Sequence, residues 1–178
     1  MSRWIGIAAV ALVEVYVFHR YRWLGAEFHF WLHGLFGVAL GVWLVTLVEL
    51  ARGTARRRVI AAGFVGHAYS IVPDVLFVGA GILHYLWMDV FALHIALHFI
   101  PAPLITMLAV YALALVGWGC AVTDHRIVAV LALAAVVIVT AAALALRAPL
   151  PTSLSEVRDT PGIALLCPVP ELATASPR

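Results

Sequence analysis

Long apolar stretches separated by short polar breaks dominate the chain. The apolar runs are Trp4 to Phe18, Phe28 to Leu50, Val59 to Leu83, Leu104 to Val122 and Ile127 to Leu146. A helical crossing of a bilayer takes roughly 20 apolar residues, so each run crosses or nearly crosses one. The pattern therefore predicts an all-α integral membrane protein, a bundle of about five transmembrane helices. The breaks read "HRYRWLGAE", "ARGTARRR", the region His84 to Pro103, and "TDHR". Of these, His84 to Ile100 is closed by Pro101 and Pro103 and is expected to form a re-entrant or interfacial helix before the fourth span. Residues 1–147 make up the bundle. Beyond Arg147, "APLPTSLSEVRDTPG" opens a proline-rich polar stretch, and residues 148–178 are read as a flexible tail.

Composition narrows the class further. Of the 178 residues 65% are hydrophobic and 11% charged, leaving no room for a separate soluble catalytic domain, and a net charge of +2 gives no footprint for nucleic acid. Cys120 and Cys167 have no ligand-like spacing. Arg3 ahead of Trp4 to Phe18 imitates a signal sequence, but no small-x-small cleavage site follows and Glu14 interrupts the apolar part. This segment is expected to stay as the first helix. Arg52, Arg56, Arg57 and Arg58 form the densest basic cluster, which the positive-inside rule holds in the cytoplasm together with the N-terminus; Arg20, Arg22 and Arg147 fall on the other side. The expected location is a bacterial inner (plasma) membrane.

One deduction is independent of orientation. The start of the second span, the end of the third and the start of the fourth must share one side of the membrane. Six histidines and two aspartates lie between residues 29 and 98, and that side collects them.

In "FHFWLHGLFGVALG", His29, His33, Gly37 and Gly41 recur every four residues and form one stripe of a helix. Small residues on such a stripe admit a close helix, so the Gly37/Gly41 face is a candidate for a packing partner or a second copy of the chain. In "GHAYSIVPDVLF", His67, Ser70 and Asp74 share one helical face, and Pro73 predicts a kink or break beside Asp74. An aspartate there lies about nine residues, or roughly 13 Å of helix, from the end of its run, a depth that calls for a partner or a polar cavity. An alternative is that Asp74 caps a new helix starting at Val75.

In "HYLWMDVFALHIALHF", His94 and His98 stand one turn apart as HxxxH, presenting two imidazoles to one point, and His84 falls near the same face. Asp89 is rotated away from them and reads as the cap of a helix at Val90 or as a partner of a ligand. The expected metal ligands are His29, His33, His67, Asp74, His84, His94 and His98, and the candidates for catalytic roles are Asp74, Ser70 and Asp89. Imidazole and carboxylate donors suit zinc, as one or two divalent ions, with iron or manganese as alternatives. Zinc with an open position implies hydrolysis. A site at the membrane boundary beside Trp31, Trp87 and Phe91 favours a lipid-like ester or phosphoester. His19 and His125, beside Arg20 and Arg126, are given interfacial roles, while Glu14 and Glu49 are left out of the site, Glu49 reaching toward Arg52.

Through "FWLHG", "GHAYSIVPD" and "LHIALH" the chain resembles the small bacterial membrane-bound metal-dependent hydrolases of the LexA-regulated family. The resemblance implies metal ligation by His33, Asp74, His94 and His98. The chain reads "PDVL" where that family typically has Pro-Asp-x-Asp, and it lacks the family's His-Arg-Gly stretch before a His-Ser. A looser likeness is to membrane hydrolases and receptors that use one serine, one aspartate and three histidines. Three other classes compete. A di-iron oxygenase would need HxxHH clusters, which are absent; a haem protein would use His33 as an axial ligand; a non-enzymatic transporter or assembly factor would use the histidines to bind or relay ions.

Overall fold

A computed structural model of the chain describes residues 2–23, 27–53, 58–82, 84 and 86–149. Arg56, Arg57, Leu83 and the tail from residue 150 onward lie outside the described residues. Six α-helices follow in chain order: α1 (Ser2–Trp23), α2 (Glu27–Arg52), α3 (Val59–Ser70), α4 (Val72–Ala80), α5 (Pro103–Val122) and α6 (Arg126–Ala145). There is no strand among the described residues. Among the described residues three helices, α2, α5 and α6, are long and apolar enough to cross a membrane, and α3 with α4 makes a fourth if that bent pair is one span. The sequence pattern predicts five. The first run lies in α1, which is not among these candidates.

The helix ends follow local chemistry. Glu27 sits in the first turn of α2 and Arg52 in its last, each complementing the helix dipole. Gly53 then stops the helix in a left-handed conformation. Pro73 has no N–H to donate and sits at the start of α4, so the third apolar run is split around Ile71 and bent by 46°. Asp74 falls in the first turn of α4, where N–H groups and the dipole favour a carboxylate, and no side-chain cap bond forms there. Gly81, at φ 66°, closes α4, its N–H donating to the Phe77 carbonyl and that of Ile82 to the Leu76 carbonyl.

α2 is the central helix, touching α1, α3, α5 and α6. Its residues Leu32, Phe36, Ala39 and Val42 form the main core with Leu97, Ile100, Met107, Val110, Ala114 and Val136. A second cluster joins Val17 and Tyr21 of α1 to Phe77 of α4. The outward faces of α5 and α6 expose Ile105, Leu108, Ile127, Leu131 and Ile138 to the surroundings. Helices apolar on both faces are at home in lipid and costly in water.

The seam between α2 and α3 is built from small residues on both sides. A Cβ at Gly37 would collide with Ser70 Oγ and the Gly66 carbonyl, one at Gly41 with the Ala62 carbonyl, and one at Gly66 with the Gly37 carbonyl. The backbones are thus in direct contact, as small-residue stripes allow. The helix packed on the Gly37/Gly41 face is α3 of the same chain.

The expected helix over His84 to Ile100 is also corrected. The described part of this connection is two short 3-10 turns, Leu86–Val90 and Ala96–Phe99, joined irregularly. Ala92 and Leu93 both adopt φ 57°, which L-residues rarely do and which an α-helix does not admit. The Asp89 carboxylate takes over from the lost ladder, accepting the N–H groups of Ile95 at 2.6 Å and Ala96 at 2.9 Å through Oδ1. The segment is tied down at its end by the Ala148 N–H, which donates to the Phe99 carbonyl at 2.8 Å.

Candidate metal centre

The opening turns of α2, the start of α4 and the His84 to His98 connection converge at one end of the bundle. His29 and His33 stand one turn apart on α2 and are fully buried. Asp74 of α4, also fully buried, accepts a hydrogen bond from the Tyr21 hydroxyl at 2.6 Å through Oδ1, and the same oxygen lies 2.6 Å from His29 Nε2. His94 Nε2 is 3.5 Å from that oxygen and His84 Nε2 3.8 Å. His33 Nε2 is 3.1 Å from His98 Nε2, and the rings of His33 and His94 stack with centroids 3.6 Å apart.

These six side chains form two overlapping groups. His29, His33, His94 and His98 have ligand atoms all within 4.8 Å of one another, and so do His29, Asp74, His84 and His94. Whether they fit a metal is decided by where their hydrogen bonds go. His94 Nδ1 donates to the Ser70 carbonyl at 3.1 Å, which fixes the tautomer and leaves Nε2 as a bare lone pair inside the cluster. His33 Nδ1, His98 Nδ1 and Asp74 Oδ2 are buried without a hydrogen bond. Native interiors seldom leave so many polar atoms unmatched in one place. Two imidazole nitrogens on a tetrahedral ion at about 2.05 Å would lie about 3.3 Å apart, close to the spacing of His33 and His98. The donor set fits a divalent transition ion.

The connection between the spans supplies His94 and His98 in the required protonation state. Burial drives both imidazoles below their ordinary range, His94 to about 3 against an opposing pull from Asp74, so each is neutral near pH 7. Neutral imidazole is the ligand form.

Three expected site residues lie elsewhere. His67 turns away from the cluster toward α1, where Nε2 lies 2.9 Å from Glu14 Oε1, so it is not among the gathered donors. The Ser70 hydroxyl donates to the carbonyls of His33 at 2.8 Å and His67 at 2.9 Å, which pins α3 to α2 and aims the hydroxyl at backbone. Asp89 caps the loop that carries His94, one of the two roles expected of it. Tyr21, which sequence reasoning missed, is the contribution of α1. A signal was present: Glu14, Val17 and Tyr21 stand at i, i+3 and i+7 on one face of α1, and all three turn toward α3 and α4.

Aromatic side chains flank this end. Trp87 and Phe91 pack together at 6.2 Å, and Phe91 packs on Tyr69 at 5.3 Å, with Trp87 and Tyr69 exposed. Trp31 is exposed on α2 against Phe18 and Phe30. In membrane proteins such amphipathic rings are enriched at the level of lipid headgroups. Comparison with known proteins adds no name to this geometry: no family model, no curated protein and no solved structure matches the chain.

Proposed function

We propose that the chain is a membrane-embedded, metal-dependent hydrolase acting on a lipid-like ester or phosphoester at one face of a bacterial inner membrane. The observation that carries this reading is the gathering of five imidazoles and one carboxylate, from three separate stretches of chain, into a buried cluster at one end of an apolar bundle. Such groups are costly in lipid and are retained there for function. A bound divalent ion, with zinc as the first candidate, would lower the pKa of a water molecule and polarise the substrate oxygen. His33, His94 and His98 would hold it, with His29 and Asp74 beside them. Asp74 holds His29 by its 2.6 Å contact, and Tyr21 in turn holds Asp74. His84, whose Nε2 lies 3.8 Å from Asp74 Oδ1, joins the same donor set.

Helix alternation supports the orientation. Arg3, Arg52, Arg58 and Arg126 belong to the end opposite the cluster, while Arg20, Arg22 and Arg147 belong to the cluster's end. With Arg56 and Arg57 in the loop of Arg52 and Arg58, the richer end is the cytoplasmic one, and the cluster faces outward.

The test is elemental analysis of the purified full-length protein, wild type against His94→Ala and His98→Ala, joined to turnover of chromogenic esters and phosphoesters and of lipids in mixed micelles. Zinc lost from both variants together with hydrolysis is the expected result. Metal without turnover of any such substrate would defeat the hydrolase reading and leave an ion-holding membrane bundle, and iron would redirect it to redox chemistry.

A further inference from the structure

The seam between α2 and α3 leaves a groove of about 700 Å³ on its outer side. Gly41 and Gly66, whose backbones touch, form its buried floor, and Leu44, Val48 and Val65 form exposed walls, so it opens to the surroundings. Among the described residues only α2, α3 and Arg58 line it. We propose that this groove binds the two hydrocarbon chains of one phospholipid from the leaflet at the Arg58 end, with an anionic headgroup on the Arg58 guanidinium. The inference rests on the membrane placement in the reading above and is independent of the metal.

Length, section and charge select that occupant. Along α3 the groove runs from Arg58 to Tyr69, about 16 Å of helix. That is the hydrocarbon depth of one leaflet, half of the roughly 30 Å of a bilayer core. A volume of 700 Å³ over this length gives a mean section of about 45 Å², against roughly 80–110 Å² for a helix 10–12 Å across with its side chains. A hydrocarbon chain is roughly 4 Å across at van der Waals contact, so the groove takes two chains side by side and is too narrow to seat a helix. Its polar side chains lie at the ends. At the inner end the Tyr69 hydroxyl donates to the Val90 carbonyl, outside the groove. At the other end Arg58 is exposed, and among the described residues no carboxylate pairs with it. A guanidinium in that position matches a phosphate with two parallel hydrogen bonds, and one arginine beside the membrane surface favours anionic lipid by about fivefold.

The experiment takes the full-length protein, delipidated in detergent, and measures by native mass spectrometry its retention of phosphatidylglycerol and of phosphatidylcholine with the same chains. One phosphatidylglycerol per chain, held about fivefold more strongly than phosphatidylcholine, is the expected result, with the preference reduced below about twofold in Arg58→Gln. Val65→Trp, which puts a ring into the groove from an exposed wall, should abolish retention of both lipids at unchanged helix content. Equal retention of the two lipids by the wild type, or a preference that survives Arg58→Gln, overturns the headgroup site. Unaltered retention in a folded Val65→Trp overturns the groove, and so does a wild-type oligomer that Val65→Trp dissociates, which would give the groove to a second copy of the chain. Should Val65→Trp misfold, the comparison of the two lipids on the wild type and on Arg58→Gln decides without it. Zinc content is read on the same samples, so a failure of lipid binding with zinc retained leaves the metal reading standing.

Discussion

Tyr21→Phe isolates the contribution of one oxygen atom to the centre. Tyr21 is fully buried, stacks on His29 at 4.7 Å and packs with Val17 and Phe77. Phenylalanine keeps the ring and those contacts and deletes only the hydroxyl that Asp74 Oδ1 accepts at 2.6 Å. A hydrogen bond to a charged group contributes about 1.5–3 kcal/mol. Partners that orient metal ligands typically account for about 10–100-fold in affinity. The two ranges agree, since 1.4 kcal/mol corresponds to about tenfold in an equilibrium constant. Zinc affinity of the variant, measured by competition with a chromogenic chelator in detergent, should therefore be weaker by about 10–100-fold at unchanged helix content. Tyr21→Ala, which also empties the ring's site, should in addition lower the Tm. If Tyr21→Phe binds zinc within twofold of wild type while Asp74→Asn loses it, the hydroxyl does not position Asp74 for a metal and the argument for Tyr21 fails.

Four further outcomes follow from contacts around the site. Asp89→Ala should remove about 1–3 kcal/mol of support from the loop carrying His94 and weaken zinc binding in the same chelator assay, with Asp89→Asn intermediate; unchanged binding in both would deny the capping role. Gly66→Ala places a methyl against the Gly37 and Gly41 backbone, forces α2 from α3 and should lower the Tm in detergent by an overpacking cost of about 1–3 kcal/mol; an unaltered Tm would show that the seam is loose. His67→Ala and Glu14→Gln should keep the wild-type metal content, because this pair lies outside the donor cluster, so metal lost from a folded His67→Ala would return His67 to the ligand set. The metal-free protein should lose stability as the pH falls below about 6.5, because unfolded His94 takes up a proton there whereas the buried ring refuses one until about pH 3; a Tm flat from pH 7 to 4 would contradict that sign.

Much of the helical layout was legible because the solvent imposes it. Each apolar run from Phe28 to Leu146 yields helix, and Pro73 marks the one run that breaks. Counting crossings was enough to put the start of the second span, the end of the third and the His84 to His98 connection on one side without any knowledge of packing. What could not be read was decided by tertiary contact. HxxxH suggests a helix for His94 and His98, yet Ala92 and Leu93 in left-handed conformations and the cap by Asp89 fold that stretch as turns. His67 shares a helical face with Asp74 only if the helix is straight, and the bend at Ile71 sends the two to different neighbours. Tyr21 shows in the sequence only as part of the Glu14, Val17 and Tyr21 stripe, which names no partner. Its role exists only because α1 packs on α4.

The electrostatics of Asp74 bear on the proposed metal centre. The Asp74 carboxylate, at the start of α4, is buried completely, and among the described residues its ion-pair contacts are to His29, His84 and His94. Among the described residues no arginine pairs with it, although arginine is the only basic side chain besides histidine in the chain. A buried charge without a compensating charge is strongly unfavourable, and a fold under selection for stability alone would replace Asp74 and its neighbours with apolar residues of similar size. This chain instead uses a proline break, a seam of bare backbone and two strained residues to hold six polar side chains in one small volume. A divalent cation would offset that cost. It would add positive charge beside Asp74 and accept lone pairs from His33, His94 and His98, so that contacts costly on their own would become the reason for the architecture.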